Sequence, residues 1–264
     1  MPDVMLRLYI WSCILVMAGA CRSGDEPRPI YVDLEDAFQL DLFESLDFTT
    51  RQFQLLLTTL DPLPCQNYEL DYATYHTGTQ LQIQLNSLIP PEGECITPPS
   101  PLTAAIALGY LIPNVYELDI LIQDVLVYSG VLEVRPDRYM LYFPSGQGIK
   151  LVHKELYRIP NYAIWGYVAY DELQLEGPAN DFLQELESIS VSWQVVEGYY
   201  GYFSIDTLGQ PVFDPPADAL YVRPFFRIYD DGSREELIQL LGAYRTQWGS
   251  QLDIVLYTHW GERL

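Results

Sequence analysis

Apolar and polar residues alternate with a period of two along most of the first half of the chain. Leu81, Ile83 and Leu85 are interleaved with Gln82, Gln84 and Asn86, the pattern of a strand with one buried face. Tyr68, Leu70 and Tyr72 alternate the same way across 68–75, and His76-Thr77-Gly78-Thr79 between the two runs reads as a turn. The pair predicts a hairpin. Further strands are predicted over 52–59, 103–108, 115–122, 125–134 and 139–143, with Tyr116, Leu118, Ile120 and Ile122 sharing one face, and over 37–50, where Phe38, Leu40 and Leu42 alternate although Leu34, Phe38, Leu42 and Leu46 also recur at helical spacing. Short strands at this spacing predict a β-sandwich. Pro144-Ser145-Gly146-Gln147-Gly148 reads as a turn, not a phosphate loop, because no Gly-Lys-Ser/Thr follows in register.

Past residue 155 the period changes. A strand is predicted over 162–170. Gly177-Pro178 then opens a helix whose apolar stripe is Phe182, Leu186 and Ile189. Residues 191–205 read as one long strand with Gly198 and Gly201 as bulges, and 211–216 as a Pro-rich loop. Leu220 to Tyr229 reads as another strand. Asp230-Asp231-Gly232 turns into a second helix, with Ser233 and Glu236 as a capping box and Leu237, Leu240, Leu241, Tyr244 and Trp248 as its buried stripe. Residues 252–260 read as the last strand. The order β-α-β-β-α-β is that of the ferredoxin-like split βαβ. Pro224 objects, because it falls in a strand that this fold places centrally, where proline removes a ladder donor.

The expected fold is therefore mostly β with an α+β part. An N-terminal immunoglobulin-like β-sandwich over 37–155 is followed by a ferredoxin-like α+β domain over 156–264.

The N-terminus changes the picture. Leu8 to Ala20 is an apolar run, preceded by Arg7 and ending in Ala18-Gly19-Ala20-Cys21. It is too short for a permanent span, which needs about 20 residues, and reads as an export signal. The cleavage site resembles the lipobox of bacterial lipoproteins. The resemblance implies removal of residues 1–20, a lipid on Cys21 and a tether over 21–36, with the protein held at a membrane of the cell envelope. Arg22-Ser23-Gly24-Asp25-Glu26 is similar to the acidic tags that direct some lipoproteins to the outer membrane.

The formal net charge is −22. Such a surface repels phosphate backbones, so no nucleic acid partner is expected. It offers anionic lipid no polybasic attraction either, which leaves the lipid as the membrane contact. With Cys13 in the signal and Cys21 lipidated, Cys65 and Cys95 remain as a pair in an oxidising compartment, and are expected to form a disulfide across the open end of the hairpin. No metal or other cofactor is expected. His76, His153 and His259 stand in no zinc spacing, and no G-x-S-x-G elbow or glycine-rich nucleotide motif occurs. The 36 acids leave room for a carboxylate pair of the hydrolase type without nominating one. The reading is a non-enzymatic envelope protein that binds or scaffolds another macromolecule. The alternative is a glycan-binding accessory lipoprotein of an outer-membrane uptake system, using the aromatic cluster over 191–203 to stack on sugars.

The candidate binding residues come from the second sheet. Alternation assigns Leu220, Val222, Phe226 and Ile228 to the helices, and Tyr221, Arg223, Phe225, Arg227 and Tyr229 to the opposite face. Trp165, Tyr167, Val255, Tyr257 and His259 join that face from the two flanking strands. The expectation is an aromatic platform with two arginines, covered by the β-sandwich or serving as a site for an envelope protein or glycan.

Overall fold

A computed structural model describes residues 38–123, 126–144, 149–213, 219–230 and 233–264. The signal, Cys21, the tether, the turn at 145–148 and the Asp231-Gly232 pair lie outside the described residues. The chain is mostly β.

Ten strands build the first part: β1 (Phe38–Ser45), β2 (Gln52–Thr59), β3 (Glu69–Thr77), β4 (Gln80–Ile89), β5 (Thr103–Gly109), β6 (Asn114–Ile122), β7 (Leu126–Val134), β8 (Arg138–Tyr142), β9 (Ile149–Leu151) and β10 (Glu155–Tyr157). They form a four-stranded sheet ordered β5-β2-β1-β9 and a six-stranded sheet ordered β10-β8-β7-β6-β4-β3. The inward residues of both sheets make one apolar core, among them Leu40, Leu55, Ile83, Leu118 and Tyr139. The period-two alternation placed them there, as expected. β1–β9 and β4–β6 pair in parallel and the other neighbours antiparallel.

The hairpin of β3 and β4 turns at Gly78, whose φ of 62° favours glycine. At its open end Cys65 and Cys95 are bonded, with Cα atoms 5.2 Å apart. The expected pairing is present.

The second part contains β11 (Ala163–Tyr170), α1 (Glu176–Ser188), β12 (Ser190–Val191), β13 (Gly198–Tyr199), β14 (Ser204–Ile205), β15 (Pro211–Val212), β16 (Tyr221–Tyr229), α2 (Arg234–Trp248) and β17 (Asp253–Thr258). One sheet is ordered β12-β16-β11-β17, with all neighbours antiparallel. Both helices pack on one face of it through Ala179, Phe182, Leu186, Leu237 and Leu241.

Three expectations fail here. Residues 191–205 are not one strand. They divide into β12, β13 and β14, and the last two join β15 in a separate small sheet. The run is interrupted at 192–197 and again at 200–203, where Gly201 has a φ of 85°; Gly198, inside β13, and Gly201 each lie against an aromatic ring. A Cβ on Gly198 would stand 2.5 Å from the Tyr157 ring, and one on Gly201 3.3 Å from Phe43. Secondly, Ser233 is the N-cap of α2 but makes no side-chain capping bond, so the box is absent. Thirdly, the two faces of β16 are exchanged relative to the expectation. Phe225 and Tyr229 enter the core under the helices, whereas Phe226 and Ile228 point to the other side.

Pro224 fits once β12 is seen to be short. β12 pairs only with Tyr229 and Ile228, so at Pro224 the strand is an edge, where a missing donor costs little.

Candidate binding site

The residues proposed for the aromatic platform do not converge. Trp165, Tyr167 and Tyr257 do lie on the sheet face away from the helices. That face is closed by residues 195–213, which bring Tyr200, Phe203, Ile205 and Phe213 onto it. Trp165 is buried, with Phe203 at 5.6 Å and Tyr257 at 6.1 Å between ring centroids. Tyr167 meets Phe213, and Val255 is buried.

The β16 residues go to the helix side. Arg223 donates to Glu176 at the start of α1. Arg227 donates to Ser190 Oγ at 3.0 Å and Glu187 Oε1 at 3.2 Å at its end. Phe225 faces Phe182, and Tyr221 stacks on Tyr170. The two arginines therefore clasp the ends of α1 and present no cationic platform. Tyr229 and His259 are both buried, and His259 lies among the rings of Tyr162, Tyr229 and Trp260.

The segment 195–213 also touches the sandwich. Tyr202 packs on Phe43, and its hydroxyl accepts the Leu46 amide. Tyr199 stacks on His153 with ring centroids 3.7 Å apart, and His153 Nδ1 lies 2.9 Å from an Asp41 carboxylate oxygen. Burial and then Asp41 push the Tyr199 hydroxyl well above its ordinary range. A second tie is Glu44, an acid at an inward position of β1. It accepts the Tyr139 hydroxyl at 2.8 Å and Arg158 Nε at 2.9 Å, with Arg51 3.6 Å away. Arg51 reaches the carbonyl of Ile159 as well. Burial raises Tyr139 far above its usual range, and Glu44 adds to it. The signal for this network was legible: Glu44 continues the inward parity of Phe38, Leu40 and Leu42.

The described residues line at least two open concave places. One is a groove of about 500 Å³ between the helices. Asp181, Gln184 and Glu185 of α1 face Tyr244, Gln247 and Trp248 of α2. Tyr244 donates to Glu185 there at 2.8 Å.

The other is a cleft of about 280 Å³ beside the edge of β16. Leu183 and Glu187 of α1 form one wall, Trp193 and Pro211 another, and Phe226 and Arg227 the floor. Trp193 is 54% exposed, and Val191 and Val196, close to it in the chain, are more than half exposed. Large apolar side chains left to water in one region mark interaction surfaces. Trp193 belongs to the run 191–203, the densest aromatic cluster of the sequence, and that density was the signal for it.

Among the described residues, no group of three or more His, Cys, Asp or Glu side chains is placed to hold a metal ion. Nor is any helix among them long and apolar enough to cross a membrane. Compared with protein families, curated proteins and solved structures, the chain matches none.

Proposed function

We propose that this is a lipid-anchored protein of the bacterial cell envelope that binds or scaffolds another macromolecule and catalyses no reaction. The observation that carries the binding reading is the cleft beside β16, walled by the exposed Trp193. A half-exposed indole over a partly apolar cleft has the make-up of an interface anchor. The lipid anchor rests on Ala18-Gly19-Ala20-Cys21, and the disulfide agrees with an oxidising compartment.

In fold terms, we read the second half, from about residue 156, as ferredoxin-like, supported by the order β12-β16-β11-β17 with antiparallel neighbours. We read the first half as immunoglobulin-like, supported by two sheets packed over one core.

The test uses the native full-length protein solubilised from membranes with detergent. Trp193→Ala is expected to strip a co-purifying partner while leaving the melting temperature unchanged. Cys21→Ser is expected to move the protein to the soluble fraction. Retention of every partner by Trp193→Ala overturns the binding reading, and an unacylated Cys21 on native protein overturns the anchor.

A second reading has its own observation. The groove between the helices presents carboxylates, amides and an indole without a lining cation, which suits a hydroxyl-rich glycan. Tryptophan fluorescence titrated with envelope glycans, comparing Trp248→Ala with Trp193→Ala, separates the two readings.

A further inference from the structure

We infer that the cleft beside β16 takes an extended, basic segment of another protein, laid along the strand edge in line with β12. The inference rests on the binding reading above and names the chemistry of the partner.

The backbone supplies the first argument. Tyr229 donates its amide to the Tyr162 carbonyl on the β11 side. Backbone groups alternate between the two sides of a strand, so Tyr221, Arg223, Phe225 and Arg227 also point to β11. Val222, Pro224 and Phe226 point outward. β12 ends its pairing at Ile228. Among the described residues, the outward groups of Val222, Pro224 and Phe226 therefore meet no ladder partner. Such an edge is a template for an added strand.

The cleft supplies the second. At about 280 Å³ it falls just below the range of small-molecule sites, which starts at about 300 Å³. It has room for one or two side chains. Leu183, Trp193 and Pro211 make it suited to an aliphatic or aromatic one.

Charge and Pro224 choose the occupant. Glu187 and Arg227 both line the cleft and pair with each other at 3.2 Å, so the charge that selects the occupant is the −22 of the whole chain. Arg227 is already engaged by Glu187 and Ser190. A second copy of the chain is disfavoured twice: its own β16 would bring another proline to the same edge, and its charge would repel. Pro224 keeps a carbonyl but offers no donor, so pairing is interrupted at that point and the side chain in the cleft supplies much of the affinity. Lysine or arginine in the incoming segment complements the net negative charge of the chain.

The probe is a terminally blocked (Val-Lys)3 hexapeptide, with (Val-Glu)3 as its acidic twin, added to the intact protein. With the basic peptide, amide exchange at Val222 and Phe226 is expected to slow about tenfold or more. Trp193→Ala is expected to weaken binding about tenfold, the scale of an interface hot spot, and Glu187→Gln to weaken it less. The acidic twin is expected not to bind. Absence of protection at millimolar basic peptide, protection indifferent to Trp193→Ala, or equal binding of the acidic twin overturns the inference. If the peptide fails while Trp193→Ala still strips a co-purifying protein from the native membrane form, the strand inference falls and the binding reading stands. If neither responds, both fall.

Discussion

A Cβ on Gly166 would stand 1.9 Å from the carbonyl oxygen of Val255. β11 and β17 approach so closely there that only a hydrogen fits. The obstacle is backbone, which cannot swing aside as a side chain can. Gly166→Ala is expected to cost at least about 3 kcal/mol, the upper part of the usual range for overpacking. Denaturant unfolding followed by circular dichroism measures it. A loss below about 1 kcal/mol would mean that β17 can shift outward freely.

The buried Glu44 is expected to behave as a charge that its partners need. Glu44→Ala leaves Arg158 in a half-buried place without its carboxylate, and breaking such a pair costs about 3–5 kcal/mol. Replacing Glu44 and Arg158 together by methionine is expected to recover most of that loss, because the desolvation penalty disappears with the charges. A double-mutant cycle in urea checks it. Equal and additive losses would show that the pair is not coupled.

Alkaline pH is expected to unfold the chain through its tyrosines. Burial raises Tyr200 to about 12 and also raises Tyr139, Tyr167, Tyr199, Tyr202 and Tyr244. The native state thus keeps protons that the unfolded chain gives up near pH 10. Above that pH the unfolded state binds fewer protons, so stability falls as pH rises. The contribution of Tyr200 is complete below about pH 10 and is lost towards about 12. Tyrosinate absorbance and circular dichroism, titrated together, are expected to change in one cooperative step. Early, gradual ionisation of all tyrosines with the fold intact contradicts this.

The sandwich was legible because its strands carry contrast. Leu81, Ile83 and Leu85 are buried, whereas Gln82 and Gln84 are not, and the Cys65–Cys95 bond follows from the hairpin they define. The helices were legible from their apolar stripes. β16 was not, because both faces of its sheet are covered: Phe225 enters one core and Phe226 the other. Alternation then carries no inside-to-outside difference. The arginines misled for a related reason. Arg223 and Arg227 lie on the helix side, but at the ends of α1, where Glu176 and Glu187 can receive them. The cleft stayed hidden because its walls come from α1, from the run containing Trp193 and from the loop before β15. Only the folded chain brings these together.

β11 lies in the interior of its sheet, yet both of its neighbours, β16 and β17, come later in the chain. As the chain is synthesised, β11 emerges apolar on both faces and must wait, and its second edge is closed only by the last strand. Leu264 then locks that strand: it donates its amide to Leu256, and its carbonyl accepts Arg245. A chain cut short before Asp253 carries an open sheet with Ile164 and Val168 poorly covered, and offers proteases a strand edge that β17 otherwise closes.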